Sequence, residues 1–475
     1  MAGTAASESE LFRLTARAAI DLVKRRQIKP EDLVEAALAR IAATDDAIHA
    51  MPTLCPERAL AAAARADTGS LLAGLPIAVK DLEDVAGVRT TYGSPIYAAH
   101  VPASSDLMVE RLEAAGAIVI GKSNTPEFGA GANSYNQLFE ATRTPWRTDL
   151  TSGGSSGGSA AALAAGQAWL ATGSDLGGSL RTPASFCGVV GLRPSPGRVA
   201  SGPSDFPFDT LSVKGPMARN VADAALMLDA MVGRVDEDPM SLEAPAESFL
   251  SAALGPHLPR RVAYSPDLGI CRVAPAVREV TDAAVALLAS QGVDVVPATP
   301  DLSDAPEIFK TLRAAGFAAG LRQEYEEQRH QLKPEVVWNI EHGRSLAADD
   351  IGRAERARGQ LFHRMRGFMR DVDLLLVPAA ILPPFDVETR WIREWEGVVF
   401  ENYVEWIRIT YAITLTALPV LCIPCGLTPQ GLPIGLQLVG KPRGEAALLA
   451  AGAALEAVFG LAGTLPIDPR PPSGA

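Results

Sequence analysis

The sequence has few cysteines, no long apolar run and no excess of positive charge. Its 475 residues include 5 cysteines, an odd number at scattered positions, which argues against a disulfide framework and favours a reducing compartment. Lys and Arg total 43 against 55 Asp and Glu, and the formal charge of −12 argues against a nucleic-acid or anionic-membrane partner. No stretch approaches the roughly 18 uninterrupted apolar residues that favour a membrane-spanning helix.

The beginning of the chain also lacks the basic and apolar segments of a signal peptide, so we expect none. Together these absences predict a cytoplasmic protein. Histidine is scarce as well, because only His49 and His100 precede Leu211 among the 6 in the chain. This scarcity matters for catalysis, since histidine is the most frequent general base.

The remaining pattern predicts an α/β fold. A chain of 475 residues exceeds the usual size of one small hydrophobic core, and 48% apolar residues suffice to build a large one. Residues 74–81, GLPIAVKD, form a short apolar run that predicts a buried strand ending at Lys80. Residues 111–124 read as a helix, a stop at Gly116 and a strand, which is the order of an αβ unit. We therefore predict an α/β/α sandwich.

Two outer regions have a different character. Thr15 is a plausible N-cap and Pro30 a first-turn residue, which predicts two amphipathic helices within residues 1–50, packed outside the core. Residues 304–370 are charged and helical in pattern. The aromatic segment from Trp391 to Tyr411 holds half of the chain's 6 tryptophans. It fits either a pocket for an aryl substrate or the protein's own core.

Two glycine- and serine-rich loops lie close together, GGSSGGSAAALAAG at 153–166 and TGSDLGGSLRTPAS at 172–185. A phosphate-binding P-loop would need a lysine directly after the last glycine, but Ser159 follows Gly158. Gly153, Ser155 and Gly157 satisfy the G-x-S-x-G pattern of a hydrolase nucleophile elbow, which requires a downstream histidine. The available ones, none in a turn or strand-end context, are His257, His330, His342 and His363.

A third interpretation accounts for Lys80 as well. Burial disfavours the charged form of a lysine at the end of an apolar strand, so its pKa would fall toward neutrality. A neutral Lys80 could then act as the base that histidine supplies in other serine enzymes. A lysine exposed at a strand end is the alternative. Cys422 and Cys425 form a C-x-x-C pair without a second pair or a histidine cluster, which favours core packing over metal binding.

At this point the sequence resembles the amidase signature enzymes over nearly the whole chain. The matching stretches are GLPIAVKD, GKSNTPEF, TSGGSSGGSAAALAAG, TGSDLGGSLRTPASFCGVVGLRPS, GPMARNVADAALML and the closing LPVLCIPCG and GLPIGLQLVG. The resemblance implies an α/β/α sandwich around a central mixed, twisted sheet. It also implies that Ser179 is the nucleophile, that Ser155 follows a cis peptide bond and relays the proton, and that Lys80 is the base.

The resemblance assigns further roles near these three residues. The backbone N–H groups of the loop from Leu176 through Gly177 and Gly178 to Ser179 would form an oxyanion hole. Asp175 and Arg181 would brace that loop, with Ser156 and Ser159 assisting by hydrogen bonding. The substrate would contact Phe128, Gly129 and Ala130. The mechanism requires no metal and no cofactor.

The implied function is hydrolysis of a carboxylic amide, as a general amidase acting on bulky or aryl amides. A carbamate or ester hydrolase with the same site is an alternative. The hydrolytic subunit of a glutamine amidotransferase is another, although TLSVKGP at 210–216 departs from the Ser-Leu-Asp-Gln-Ile-Gly-Pro stretch of such subunits. We expect one amidase domain over 1–475, with the catalytic core at 74–233 and a variable, substrate-facing insertion at 304–411. We expect a small-molecule substrate and a monomer or homodimer.

Overall fold

The computed structural model describes residues 8–472. Within this range the chain forms thirteen strands and fifteen α-helices. The strands are β1 (Thr53–Leu54), β2 (Pro76–Lys80), β3 (Ile118–Ser123), β4 (Leu170–Asp175), β5 (Val190–Arg193), β6 (Val213–Ala218), β7 (Arg261–Tyr264), β8 (Asp294–Pro297), β9 (Leu374–Pro378), β10 (Glu394–Trp395), β11 (Val398–Val399), β12 (Val420–Leu427) and β13 (Pro433–Val439). The helices are α1 (Ala16–Lys24), α2 (Pro30–Ile48), α3 (Pro56–Ala63), α4 (Leu107–Ala114), α5 (Gly157–Ala165), α6 (Arg181–Cys187), α7 (Val221–Met231), α8 (Phe249–Leu254), α9 (Pro275–Ser290), α10 (Ala305–Gly320), α11 (Arg322–Gln328), α12 (Pro334–Arg344), α13 (Ala348–Phe368), α14 (Arg408–Thr414) and α15 (Glu445–Phe459).

A single mixed sheet dominates the described part of the chain. Its eleven strands run in the order β1-β3-β2-β4-β6-β5-β12-β13-β9-β7-β8. β2 lies between β3 and β4 and is parallel to both, whereas β12 and β13 form an antiparallel pair near the middle. Helices surround this sheet, which confirms the predicted α/β fold with a central mixed sheet.

The helix that follows the first glycine loop lies inside the protein. α5 begins at Gly157, within the glycine loop, and ends at Ala165. All nine of its residues are buried, because its small side chains let neighbouring backbone approach closely. A Cβ at Gly158 would overlap the backbone nitrogen of Asn124, which follows β3. The run of glycine and alanine therefore serves close packing against the strands.

The helices at the two outer regions are amphipathic. The Thr15 hydroxyl accepts a hydrogen bond from the Ala18 N–H, which confirms the predicted N-cap of α1. The buried faces of α1 and α2, including Ile20 and Leu33, belong to the same hydrophobic cluster as the sheet. Residues 304–370 are mostly helical, as predicted, in α10 to α13. No helix within residues 8–472 has the length and apolar character needed to cross a bilayer.

Candidate active site

Lys80 is the last residue of β2, and its side chain is fully buried. The strand is apolar because it lies between two parallel neighbours and has no face exposed to solvent. The Lys80 backbone N–H donates to Thr172 Oγ1 (2.9 Å), which in turn donates to Glu83 Oε2 (2.5 Å). The end of β2 therefore places a lysine side chain in the interior at a fixed position.

The Lys80 amine is surrounded by hydroxyl groups. Its Nζ donates to Ser155 Oγ at 2.7 Å and to the hydroxyls of Ser156 and Ser174 at 2.9 Å each. Within residues 8–472 no carboxylate lies within ion-pair distance of this amine. The structure thus brings together three of the residues predicted from sequence, Lys80, Ser155 and Ser156.

This environment raises the fraction of the amine that is neutral. Burial lowers the pKa of Lys80 to about 8, although the charges of Glu83 and Asp175 oppose that shift. With such a pKa, about a tenth of the lysines are neutral at pH 7. A neutral amine hydrogen-bonded to a serine hydroxyl can accept its proton, so the geometry fits a general base.

The first glycine loop presents Ser155 to this lysine. The peptide bond between Gly154 and Ser155 is cis, as the resemblance implies. Gly153 has a φ of 70°, a left-handed conformation that glycine adopts without penalty. Ser159, which we expected to assist, donates instead to the Thr172 carbonyl at 2.8 Å and connects α5 to β4.

The second glycine loop is organised by Asp175 at the end of β4. Its carboxylate accepts hydrogen bonds from the backbone N–H groups of Gly178 (2.9 Å) and Leu180 (3.1 Å). Arg181 donates to both carboxylate oxygens at 2.9 Å, and Arg193 lies 3.3 Å away. Burial would raise the pKa of Asp175, but these positive charges and hydrogen bonds outweigh it and hold the pKa below the usual range.

Arg181 connects this loop to distant parts of the chain. Its Nη1 donates to the Thr410 carbonyl (2.8 Å) in α14 and to Gln437 Oε1 (2.6 Å) in β13. Its Nη2 donates to Thr414 Oγ1 at 2.7 Å. The Thr410 hydroxyl also donates to the Gly177 carbonyl at 2.6 Å. The ion pairs of Asp175 with Arg181 and Arg193, called here the ionic centre, therefore fix the loop together with α14.

The two glycine loops meet at Ser179. The Ser156 N–H donates to the Ser179 carbonyl at 3.2 Å, and the Ser179 side chain is half-buried and accessible to solvent. Of the predicted oxyanion donors, Gly178 directs its N–H toward Asp175. Leu176 and Gly177 precede it in the same turn. A direct contact between the Ser155 and Ser179 hydroxyls stays a prediction.

The predicted substrate segment lies against Ser155. A Cβ at Gly129 would be 3.5 Å from Ser155 Oγ. Phe128 has a φ of 47°, and the Ala130 carbonyl accepts a hydrogen bond from Lys333 Nζ at 2.5 Å. The structure thus places 128–130 beside the serine, held by a buried lysine that precedes α12.

Several polar residues of this region were not predicted from the sequence. Thr172 and Ser174 point to the same side of β4, so their period of two in TGSD was an available signal. Glu83 and Lys333 gave no such signal, because their contacts join distant segments. Burial lowers the pKa of Lys333 to about 8, as it does for Lys80.

The aromatic segment of the C-terminal region is divided between core and cavity. Tyr403, Trp406 and Tyr411 are buried in the main hydrophobic cluster, and the Tyr411 ring stacks 4.2 Å from that of Phe309. Trp395 instead lines a separate cavity of about 390 Å³. Core packing thus accounts for much of this segment.

The structure also places the residues of the other interpretations. None of the four downstream histidines is buried, and none is hydrogen-bonded to Ser155 or Ser179 within the described residues. The Ser155 hydroxyl is bonded to Lys80 instead, which disfavours a histidine-based elbow. Cys422 and Cys425 are free and buried in β12, as expected for core residues.

Comparison with known proteins gives the family. The family model described as Amidase matches residues 32–449. The chain belongs to the amidase family. This match covers both glycine loops, the strand that ends at Lys80 and the C-terminal strand pair, and it confirms the resemblance to amidase signature enzymes.

Individual amidase-family proteins align over almost the full length. An acylamidase of Rhodococcus erythropolis is 34% identical, over 97% of this chain and 99% of the relative. The solved structure of a bacterial aryl acylamidase of the amidase signature family has a TM-score of 0.87 and 25% identity, covering 96% of this chain and 99% of that one. A glutamyl-tRNA(Gln) amidotransferase subunit of Anaeromyxobacter dehalogenans (strain 2CP-C) is 37% identical, over 97% and 99%.

Proposed function

We propose that this amidase-family chain hydrolyses a carboxylic amide through an acyl-enzyme on Ser179. Neutral Lys80 takes a proton from Ser155 while Ser155 takes the proton of Ser179, whose oxygen attacks the substrate carbonyl carbon. The observation that carries the proposal is the buried hydrogen bond of 2.7 Å from Lys80 Nζ to Ser155 Oγ. The lowered pKa of Lys80 supports its role as base.

The developing oxyanion needs hydrogen-bond donors that are not already engaged. Because the Gly178 N–H donates to Asp175, we assign this role to the backbone N–H groups of Leu176, Gly177 and Ser179. Asp175 acts indirectly, since its bonds to Gly178 and to Leu180 set the shape of the turn. Removing one oxyanion donor typically costs about 10²–10³ in rate.

The remaining steps return the enzyme to its starting state. The relayed proton passes from Lys80 through Ser155 to the leaving nitrogen as the C–N bond breaks, which releases the amine. Water then attacks the acyl-enzyme, and its proton follows the same relay to Lys80. Collapse of the second tetrahedral intermediate releases the carboxylic acid and returns a proton to Ser179.

The test locates the nucleophile directly. Purified protein is treated with a fluorophosphonate, and the modified peptide is identified by mass spectrometry in wild type and in Ser179→Ala. We expect an adduct on Ser179 and loss of 4-nitroacetanilide turnover in the variant. An adduct on Ser155 in a protein whose Lys80→Ala variant still turns over substrate would exclude the proposed relay.

For the substrate we propose bulky or aryl amides, and within this the activity of a general amidase. The similarity to an acylamidase and to an aryl acylamidase supports this choice. The same serine chemistry also cleaves esters and carbamates, so acetanilide, phenyl acetate and phenyl carbamate should be compared by kcat/KM. A dominant carbamate activity would move the chain to urethane hydrolysis.

The similarity to a glutamyl-tRNA(Gln) amidotransferase chain raises a second candidate function. Such a chain would hydrolyse glutamine and would depend on partner chains. The departure at 210–216 disfavours it, and in the structure Lys214 of this stretch pairs with Asp106 beside α4. Glutamine turnover that appears only with co-purified partner chains would support the amidotransferase function.

We propose the domain organisation on similar grounds. Residues 74–233 contain Lys80 and both glycine loops, and 304–411 supplies Lys333, which contacts the substrate segment. We therefore assign the first range to catalysis and the second to substrate contact within a single domain. The cytoplasmic location and the monomeric or homodimeric state stay predictions.

A further inference from the structure

One buried arginine differs from the others. Arg181, Arg193, Arg219 and Arg313 are the buried arginines of the described chain. The first two pair with Asp175, and Arg219 donates to two backbone carbonyls. Arg313 is 7% exposed and, like Arg219, forms no ion pair within residues 8–472, but there it donates to no backbone carbonyl either. Burying a guanidinium without a counter-charge is costly, so Arg313 lacks the compensation that buried charges normally have.

Aromatic rings and one hydroxyl hold the Arg313 side chain. Its guanidinium carbon lies 4.6 Å from the ring centre of Phe317 and 5.6 Å from that of Tyr403. Its Nη2 donates to the Tyr403 hydroxyl at 2.7 Å, while Nε is buried and has no partner in the described structure. The rings fix the plane of the guanidinium, and donor capacity is left over.

Arg313 is part of the wall of a cavity of about 450 Å³ beside the proposed oxyanion loop. The wall is largely apolar, and its carboxylates, Asp205 and Asp209, are exposed to solvent. An anion would therefore be accepted at the buried end and not at the rim. The principal lining residues are Leu176, Phe206, Leu312, Arg313, Gly316 and Phe317.

Helix α10 connects this cavity to the catalytic loop. A Cβ at Gly177 would lie 3.1 Å from the Phe309 ring, so this ring packs directly on the loop. Arg313 follows Phe309 by four residues, which places it about one helical turn away on the same face. A substrate held at the loop could reach the guanidinium with a short chain.

We propose that the cavity binds a substituent of the amide substrate that ends in a carboxylate, and that Arg313 binds this carboxylate. The substrate class is an amide with an apolar spacer and a terminal carboxylate, such as a half-amide of a dicarboxylic acid or an N-acyl amino acid. This inference rests on the proposed amidase function. It adds a charge preference that the family's shared loops do not specify.

Two matched substrate pairs test the preference. Adipoyl mono-4-nitroanilide is compared with hexanoyl 4-nitroanilide, and N-acetyl-6-aminohexanoate with N-acetylhexylamine. A charge-assisted hydrogen bond predicts a kcat/KM about 10–100-fold higher for the carboxylate member of at least one pair. Arg313→Met should bring the ratio of the two kcat/KM values close to one, and Arg313→Lys should retain part of the preference. Arg219→Met removes a buried arginine outside the cavity and should keep the full ratio.

A second variant tests the cavity without changing charge. Gly316 has open space where its Cβ would be, so Gly316→Leu adds volume at the cavity wall on an exposed turn of α10. We expect it to lower kcat/KM for the preferred carboxylate substrate at least tenfold relative to 4-nitroacetanilide. Gly359 on α13 has equally open space but lies outside the cavity lining, and Gly359→Leu should leave the ratio unchanged.

The possible outcomes distinguish failure of this inference from failure of the proposed amidase function. Turnover of 4-nitroacetanilide with equal kcat/KM in both pairs, or a preference that persists in Arg313→Met, would overturn the inference alone. Wild-type protein that hydrolyses none of these amides would overturn the proposed function and the inference together.

Discussion

Helices α5 and α13 illustrate how differently the catalytic and outer regions are built. All nine residues of α5 are buried, and glycine and alanine let its backbone touch the strands beside it. In α13, only Ala354, Leu361 and Met365 of its 21 residues are buried. The catalytic region therefore depends on backbone contacts that tolerate no added atom, whereas the outer region depends on a few side chains on one helix face.

The same contrast applies to buried charges. In the catalytic region Asp175 satisfies two arginines and two backbone N–H groups at once. In the outer region Arg313 has no carboxylate partner within the described residues, and Lys333 donates to a backbone carbonyl. The paired charges around Asp175 can keep the second glycine loop in a fixed geometry. An unused hydrogen-bond donor such as Arg313 Nε can instead bind a polar group of the substrate.

The largest expected effect comes from replacing the proposed base. Lys80→Met removes the proton acceptor, and we expect kcat/KM for 4-nitroacetanilide to fall by about 10³–10⁴ or more, in line with loss of a general base. Lys333→Met removes an equally buried lysine from the outer region and should cost about tenfold or less. Equal losses of kcat/KM in the two variants would contradict the assignment of Lys80 as catalytic and Lys333 as positioning.

The next effect is on stability. Asp175→Asn leaves two buried arginines without a carboxylate, so we expect a loss of about 3–5 kcal/mol in the free energy of unfolding. In the outer region Glu326 pairs with Arg322 on the surface, and Glu326→Gln should leave the free energy of unfolding almost unchanged, because solvent screens an exposed ion pair. Urea denaturation measures both. A small loss for Asp175→Asn would show that the ionic centre is not needed for stability.

Two glycines test the packing contrast. Gly158→Ala in α5 would force a methyl group into the Asn124 backbone, which we expect to cost about 1–3 kcal/mol. Gly359→Ala in α13 meets open space and should raise stability by about 0.5–1 kcal/mol, because alanine favours the helix. Thermal unfolding of both variants would show opposite shifts in Tm. Shifts of the same sign would contradict the close packing of α5.

The smallest expected change is in the pH midpoint of activity, which replacing Lys333 should leave in place. The proposed relay requires neutral Lys80, whose pKa is about 8, so kcat/KM should rise about tenfold per pH unit below 8 and level off above it. The same midpoint is expected in Lys333→Met, since Ser155 is hydrogen-bonded to Lys80, whereas Lys333 donates to the Ala130 carbonyl. A shift of the midpoint in Lys333→Met would contradict the assignment of this titration to Lys80.

Short-range patterns predicted much of the fold and part of the site. The apolar run ending at Lys80 predicted both a buried strand and a lysine with a lowered pKa, because strand and burial are properties of adjacent residues. The choice of Ser179 over Ser155 came from the family resemblance, since both serines follow a glycine in a similar loop. The choice of Ser179 stays a prediction. The other contact of the proposed relay, between Lys80 and Ser155, is present in the structure as a hydrogen bond.

The sequence pattern did not predict contacts between residues that are far apart in the chain. Arg313 and Lys333 lie in a charged helical stretch whose periodicity predicts helices but not which charges turn inward. Their partners, such as Tyr403 for Arg313 and Ala130 for Lys333, are 90 and 203 positions away. The packed structure is needed to show that Arg313 lies near the second glycine loop and that Lys333 contacts residues 128–130.

The hydrogen bonds of Arg181 join the second glycine loop to parts of the chain that are synthesised late. During synthesis the chain emerges from its amino-terminal end, so Lys80 and both glycine loops are made long before Thr410 and Gln437. Until those late residues arrive, Arg181 lacks the contacts that fix the turn around Ser179. A ribosome-bound chain that ends before β13 therefore lacks the bond from Arg181 to Gln437, and the turn around Ser179 gains its full set of supporting hydrogen bonds only with the last strand.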